Sequence, residues 1–211
     1  MIIEVKKLHF HLLKGKALFI KELNLLVIAD LHLGKATHFR KSGIPLPLKS
    51  ADADYQMLTH LLETIQPGRV FFLGDLFHSE HNHEWERFIS LLDYFPDIDF
   101  CLIKGNHDIL KPVHYKNLCL RIEEEAEETG IIFSHHPMEN IPARKLNIAG
   151  HIHPGIELSG RAREYFRLPC FWLSKNQMIL PAFGKLTGLQ MIQPAGNDRI
   201  FAITNKSVVE V

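Results

Sequence analysis

Five short groups of polar residues carry side chains that bind divalent metal ions. In chain order they are Asp30-Leu31-His32, Gly74-Asp75, Gly105-Asn106-His107-Asp108, Ser134-His135-His136 and Gly150-His151-Ile152-His153. Each group follows a short apolar run. Carboxylate oxygens, amide oxygens and imidazole nitrogens are common ligands of first-row divalent ions. The sequence therefore indicates a metal site with nitrogen and oxygen ligands.

The spacing inside these groups indicates which side chains act together. In an extended chain, residues two apart point the same way, so Asp30 and His32 could hold one ion. By the same alternation His151 and His153 share a face. The adjacent pair His135 and His136 would point to opposite faces, so we take His135 as the ligand and His136 as its alternative.

Apolar periodicity predicts the elements that position these groups. Residues 25–30, 69–75 and 98–103 are predicted as buried strands, and helical spacing over 50–65 and 85–95 predicts two amphipathic helices between them. Strand and helix in alternation indicate βαβ units and a parallel sheet. Ligands bind at the carboxyl ends of the strands in such sheets, so we expect the polar groups to converge.

The second half of the chain has a different pattern, with short strand candidates separated by Gly, Pro and Asn. It predicts a second sheet that faces the first and is closed by antiparallel strands in the last fifth of the chain. The helices are expected outside the more parallel sheet. The acidic run EEEAEE, between Leu120 and Gly130, is predicted as a solvated hairpin or loop. We expect one domain over residues 1–211.

Composition limits the class of protein and the kind of metal ligand. The chain has 14 histidines but only 3 cysteines, Cys101, Cys119 and Cys170, which form no CxxC motif. A disulfide framework and a thiolate zinc site are therefore not expected. We expect a cytoplasmic protein. No run of residues approaches the length of a membrane span. The net charge is 0, so nucleic-acid binding would need a local basic patch.

The ordered set of groups resembles the signature of the calcineurin-like metallophosphoesterases, which is DxH, GD, GNH, a single His and GHxH. The match covers about residues 25–155. The segments ADLHLGKATHFRKSGIPLP, LGDLFHS, KGNHD, GHIHPGIEL and LPAFGKLTGL are similar to the bacterial ligase-associated DNA-damage-response endonuclease subfamily. The resemblance implies an α/β fold, a four-layer αββα sandwich of two mixed sheets flanked by helices.

The family pattern also implies a centre with two divalent ions, which clamp a phosphate and acidify a water molecule. One ion would take Asp30, His32, Asp75 and His153, and the other would take Asp75, Asn106, His135 and His151. Asp75 would bridge the two. Ligands of this kind without a thiolate favour Mn²⁺ or Fe²⁺, with Zn²⁺ also compatible.

His107 and Asp108 are the predicted catalytic residues. His107 follows the ligand Asn106 and is expected to face the substrate, where it could protonate the departing oxygen. Asp108 could accept a hydrogen bond from that imidazole and fix its tautomer. It could equally cap a helix that begins at Ile109.

Basic residues near the first polar group are candidates for substrate binding. One basic run contains Lys35, His38, Arg40 and Lys41, and another contains Arg161, Arg163 and Arg167. Either run could be an ordinary solvated surface or could bind nucleic-acid phosphates. His78 could reach the phosphate or line the rim of the site.

Together these features lead us to expect a binuclear metal-dependent phosphodiesterase. The subfamily resemblance implies a DNA endonuclease that acts in DNA repair, with single-stranded DNA as the substrate and a DNA ligase and a helicase as partners. The alternative within enzymes is a hydrolase of small phosphoesters or nucleotides. A non-catalytic binding scaffold is disfavoured, because every ligand position and His107 are present.

Overall fold

The computed structural model describes residues 1–35, 49–77, 83–108, 118–159 and 165–211. A first sheet contains seven strands in sequence order. They are β1 (Ile2–Val5), β2 (Leu8–Leu12), β3 (Ala17–Ile20), β4 (Leu25–Ala29), β5 (Arg69–Leu73), β6 (Asp99–Ile103) and β7 (Leu120–Glu123). Strands β1 to β4 pair antiparallel, and β4 to β7 pair parallel. A 3₁₀ turn, Lys21–Leu23, joins β3 to β4.

The second sheet contains nine strands. They are β8 (Ala126–Glu128), β9 (Ile131–Ser134), β10 (Leu146–Ala149), β11 (Pro154–Ser159), β12 (Tyr165–Leu173), β13 (Gln177–Ile179), β14 (Gln190–Met191), β15 (Arg199–Ile203) and β16 (Val208–Glu210). Strands β9, β10 and β13 are parallel neighbours. The last strands, β15 and β16, extend the sheet from β12 by antiparallel pairing, as the sequence predicts.

Within the described ranges, two helices lie between the parallel strands of the first sheet, α1 (Lys49–Ile65) and α2 (His83–Tyr94). Tyr55 and Leu58 of α1 and Phe88 of α2 pack against alternate residues of β4 and β5, including Phe72. The rings of Phe72 and Phe88 meet at 5.7 Å. This apolar layer confirms the prediction that helices cover the outer face of the more parallel sheet.

The other face of the first sheet packs on the second sheet. Strands alternate their side chains between two faces, so Phe71 points away from the helices and toward Phe133 of β9. Their ring centroids are 5.2 Å apart in an edge-to-face arrangement. Full burial of an aromatic or aliphatic side chain contributes about 1.5–3 kcal/mol, so this inter-sheet core holds the two sheets together. The fold is the predicted sandwich of two mixed sheets.

The parallel strands end at one level, which explains why the polar groups meet. Ala29 pairs with Leu73, and Leu73 pairs with Ile103, so β4, β5 and β6 finish side by side. In the second sheet, Ser134 and Ala149 pair in the same way at the ends of β9 and β10. Each of the five polar groups begins at or just after one of these strand ends.

Some expectations were incomplete or wrong. The antiparallel strands β1 to β3 were not predicted. The strand candidate LCLRI, residues 118–122 in the second half of the chain, was expected in the second sheet, whereas β7 is an edge strand of the first. The acidic run is not a loop, because Glu123 ends β7 and Ala126–Glu128 forms β8. Its charges are matched by ion pairs such as Arg69 with Glu128.

Among the described residues, no helix is long and apolar enough to cross a membrane.

Candidate metal centre

Two buried carboxylates form the middle of the site. Asp30 follows β4 and has no exposed surface, and Asp75, two residues after β5, is 3% exposed. Burying an ionised carboxylate is costly unless it is paired or bound to a cation. Among the described residues, Asp30 Oδ1 is a buried oxygen that has no hydrogen-bond partner. An ion at this position would satisfy it.

Imidazoles divide the site into two groups of ligand atoms. In the first group, His32 and His153 lie with Asp30, and all ligand atoms are within 4.8 Å of one another. His153 Nε2 is 3.4 Å from Asp30 Oδ1. In the second group, His135 and His151 lie together, with the exposed His136 beside them. Nitrogens and oxygens so placed could hold a cation in each group.

The spacing in the second group fits an ion. His135 Nε2 is 3.0 Å from Asn106 Oδ1 and 3.1 Å from His151 Nδ1. Two ligand atoms that bind one ion at right angles, each about 2.0–2.1 Å from it, are about 3 Å apart. The other ring nitrogen, His135 Nδ1, lies 3.1 Å from the carbonyl oxygen of Leu73. Donation to that carbonyl would leave Nε2 with a lone pair for the ion.

Asp75 lies between the two groups. Its Oδ2 is 3.8 Å from His32 Nε2, and its Oδ1 is 3.6 Å from His135 Nε2. One carboxylate therefore presents one oxygen to each group. This is the arrangement expected of a bridging ligand.

The ligand residues have an uncommon backbone conformation. Positive φ angles occur at Asp30 (53°), His32 (50°), Asp75 (48°), His151 (67°) and His153 (53°). This left-handed region costs an ordinary residue about 1–2 kcal/mol, although Asp and His enter it more readily than most. Strain of this kind persists where surrounding contacts fix it, and it is concentrated at functional sites.

Hydrogen bonds between the loops fix this conformation. The N–H of His32 donates to the carbonyl oxygen of Asp75 at 2.8 Å. The N–H of His107 donates to Asp75 Oδ1 at 2.9 Å, and that of His151 donates to Asp30 Oδ2 at 2.8 Å. Each carboxylate thus holds a loop from another strand, and the last bond joins the two sheets.

Two glycines of the polar groups allow their loops to approach the ligand carboxylates closely. A Cβ atom on Gly105 would lie 2.4 Å from Asp75 Oδ1, and one on Gly150 would lie 2.5 Å from Asp30 Oδ2. Both contacts are far shorter than any real Cβ contact, and the obstacle is a ligand carboxylate. The Gly of GNH and of GHxH therefore gives the loop room to reach the carboxylate.

Comparison with known proteins agrees with this geometry. A family model for calcineurin-like phosphoesterases matches residues 23–169. The chain belongs to the calcineurin-like phosphoesterase family. It is therefore a metal-dependent enzyme of the kind that hydrolyses phosphoester bonds. A comparison with curated proteins finds no significant sequence match.

Solved structures give a more specific likeness. The crystal structure of Pseudomonas putida nuclease MPE has a TM-score of 0.84 and 26% identity, covering 100% of this chain and 99% of that one. Yfce, a phosphoesterase from E. coli, has a TM-score of 0.44 and 16% identity, over 89% and 97% of the two chains. The Aquifex aeolicus protein AQ665, of unknown function, has a TM-score of 0.42 and 23% identity, over 61% and 78%.

The predicted catalytic pair of this phosphoesterase lies beside Asp75. The His107 side chain is 47% exposed, and its Nε2 is 4.0 Å from Asp75 Oδ2. Asp108 Oδ1 accepts hydrogen bonds from the N–H groups of Leu76 and Phe77, and Oδ2 accepts one from Gly105. Asp108 therefore joins the GD and GNHD loops. Burial, assisted by the charge of Asp75, raises the pKa of Asp108 to about 6. Its hydrogen bond to His107 stays a prediction.

The two histidine pairs do not follow the side-chain alternation of an extended strand. His151 and His153 fall in different ligand groups, because residues 150–153 form a loop rather than an extended strand. His135 and His136 do not point apart either, since both lie beyond the end of β9 and their rings are 4.6 Å apart. His135 is the one whose nitrogens approach Asp30 and Asp75. Burial lowers the pKa of His151, which favours the neutral form that binds metals.

Of the basic residues, Lys35 lies at the rim of the site. It lines a small cavity together with His32. Partial burial lowers the pKa of its ammonium, although the charges of Asp75 and Asp30 oppose this shift. Arg167 is exposed and paired with Glu157 at 2.9 Å. Other candidates lie outside the described residues, namely Arg40, Lys41, His78, Arg161 and Arg163.

The segment around Gly184 supports the first polar group, a role that the sequence did not predict. Phe183 and Gly184 donate their N–H groups to the carbonyl oxygens of Ala29 and Asp30. The adjacent Lys185 N–H is bound by Asp54, a carboxylate whose pKa burial raises to about 6. The motif LPAFGKLTGL, noted only as a resemblance, therefore supports the backbone of the first polar group. The sequence signal for this role was Gly184, which follows an apolar run.

Replacing Asp75 tests its position between the two groups. We expect Asp75→Asn to bind divalent ions at least about 100-fold more weakly, because even losses outside the ligand shell cost about 10–100-fold. Hydrolysis should be abolished with it. Metal content after equilibration with Mn²⁺ provides the measurement, with Asp93→Asn on the exposed side of α2 as control. A full metal complement in Asp75→Asn would show that Asp75 does not bridge.

Proposed function

We propose that this phosphoesterase is a phosphodiesterase with two divalent ions, and that it cleaves single-stranded DNA internally as a DNA repair endonuclease of the cytoplasm. The observation that carries the proposal is the placement of Asp75, with one oxygen toward each ligand group. The full-length likeness to a nuclease supports a nucleic acid as the substrate class, and the choice of DNA follows the subfamily resemblance. From the subfamily resemblance, we also propose a DNA ligase and a helicase as partners.

The ligands suit ions that act on phosphate. Bound ions would supply charge neutralisation for the phosphodiester and activation of water. Asn106 is a neutral ligand, so the site holds only the two carboxylates of Asp30 and Asp75 and keeps a net positive charge when two divalent ions are bound. The nitrogen and oxygen ligands favour Mn²⁺ or Fe²⁺, with Zn²⁺ also compatible.

The position of His107 supports a role in proton transfer. Its side chain is half exposed, next to the carboxylate that joins the groups. An imidazolium there can donate a proton to the oxygen that leaves phosphorus, while the hydrogen bond from the His107 N–H to Asp75 fixes the backbone. Lys35, at the rim, can attract the anionic substrate.

A hairpin that begins at the metal ligands offers a surface for a polymeric substrate. Strand β11 starts at Pro154, directly after His153, and pairs with β12. Tyr165 and Phe166 on β12 are 66% and 49% exposed. Phe166 pairs with Leu158, which lies about 16 Å along the strand from His153. A small phosphoester is too short to contact both places, whereas a DNA strand can.

A substrate panel tests the proposed function. The metal-loaded protein should be offered single-stranded circular DNA, duplex DNA, a bis-aryl phosphodiester, an aryl phosphomonoester and cyclic nucleotides, with a chelator as control. We expect the single-stranded circle to be cut to linear DNA and the bis-aryl phosphodiester to be hydrolysed. Activity on monoesters or nucleotides alone would favour the alternative, a hydrolase of small phosphoesters. No hydrolysis of any substrate would contradict the proposal.

The leaving-group dependence of a variant tests His107. We expect His107→Ala to keep its metal and to lose about 10²–10⁴-fold in rate on a diester with an alkoxide leaving group. The loss should be smaller for a nitrophenolate, which departs without a proton. His60→Ala, an exposed histidine of α1, is the matched control. An equal loss on both diesters would rule out proton donation by His107.

Exposed aromatic residues test the polymer path. Stacking on a base contributes about 1–3 kcal/mol, so replacing both Tyr165 and Phe166 with Ala should weaken binding of single-stranded DNA about tenfold or more. Hydrolysis of the small diester should not change. Tyr94→Ala is the control, since Tyr94 is 67% exposed on α2. Unchanged DNA affinity would remove this hairpin from the substrate path. The two single variants would show which face of β12 binds the strand.

A further inference from the structure

His136 is a further imidazole beside the second ligand group, outside the family signature. Its ring centroid is 4.1 Å from that of His151 and 4.6 Å from that of His135. Its ligand atom lies within 4.8 Å of theirs. Unlike the buried His135, the His136 side chain is exposed. An open imidazole at the edge of the metal centre is available to a ligand.

The imidazole rings of His135 and His136 differ in their hydrogen-bond partners. His135 has Leu73 and Asn106 as polar neighbours. The imidazole nitrogens of His136 have no hydrogen-bond partner among the described residues, and its contacts are with the two neighbouring rings. A nitrogen in this position can donate a hydrogen bond to an incoming anion.

A buried network fixes the backbone of His136. Ser134 Oγ donates to the His136 carbonyl oxygen at 2.7 Å. Asn147, which has no exposed surface, donates from Nδ2 to Ser134 Oγ and accepts from the Met138 N–H. The following residue, Pro137, restricts the backbone of His136 further. The ring is therefore presented by a rigid turn rather than by a free loop.

We infer that His136 contacts the substrate directly and donates a hydrogen bond to a phosphate oxygen beside the second ligand group. His107 lies beside Asp75 Oδ2, the oxygen that faces the first group. The two exposed imidazoles would thus hold the phosphate from the two ends of the centre. This inference rests on the proposed function and extends it, since it adds a substrate contact to the known ligand pattern.

Spacing favours a substrate contact for His136 over a role as an additional metal ligand. His135 Nε2 lies about 3 Å from Asn106 Oδ1 and from His151 Nδ1, the spacing expected of atoms that bind one ion. Within the described part of the chain, no comparable contact joins His136 to these atoms. In exposure His136 resembles His107 rather than the buried ligands His32 and His135.

Binding of inorganic phosphate to the metal-loaded protein provides the test. Calorimetry should show His136→Ala with the wild-type number of bound Mn²⁺ ions and with phosphate affinity about 10–100-fold lower, the range for a lost hydrogen bond to a charged group. His136→Gln keeps an N–H donor and should recover most of that affinity. His60→Ala should match the wild type.

Two results would overturn the inference. Unchanged phosphate affinity in His136→Ala would mean that the ring does not contact the anion, and loss of bound Mn²⁺ would make it a metal ligand instead. Failure of the proposed function would look different, because the metal-loaded wild type would then bind no phosphate and hydrolyse no diester.

Discussion

Burying two carboxylates side by side at the end of one sheet costs several kcal/mol per ion unless cations offset it. Asp30 and Asp75 are in this position, and imidazole nitrogens lie within 4.0 Å of their oxygens, namely those of His32, His107, His135 and His153. Neutral imidazoles do not offset the charge, but together with the carboxylates they bind divalent ions. Bound cations would offset the charge of these two carboxylates, and the surrounding histidines would complete the ligand sets.

The same carboxylates organise the backbone. Asp75 accepts the N–H of His107, and Asp30 accepts the N–H of His151 from the other sheet. These bonds, with Asp108 between the GD and GNHD loops, hold residues in left-handed conformations that would otherwise be unfavourable. The inter-sheet core, with Phe71 on Phe133, sets the distance between the two rims. Chemistry and folding thus depend on one set of contacts, and loss of a carboxylate would affect both.

The sequence was a good guide to the strands and a poorer guide to the loops. The apolar runs before Asp30, Asp75 and Asn106 are buried strands, and parallel pairing alone brings their ends together. Alternation failed beyond the strand ends, where positive φ angles separate His151 from His153. These angles are set by hydrogen bonds from distant loops, which no local pattern encodes. The strands β1 to β3 carry none of the polar groups, and the support from Phe183 and Gly184 depends on tertiary contacts.

Whether the two ligand groups form one centre depends on Asp75, the carboxylate that lies between them. Equilibrium dialysis of the wild-type protein against Mn²⁺, followed by electron paramagnetic resonance of the loaded sample, distinguishes one coupled centre from two separate ions. We expect two Mn²⁺ ions per chain and the spectrum of an exchange-coupled pair, because one carboxylate would link both ions. A single bound ion at saturation, or two ions with the spectrum of isolated Mn²⁺, would contradict it.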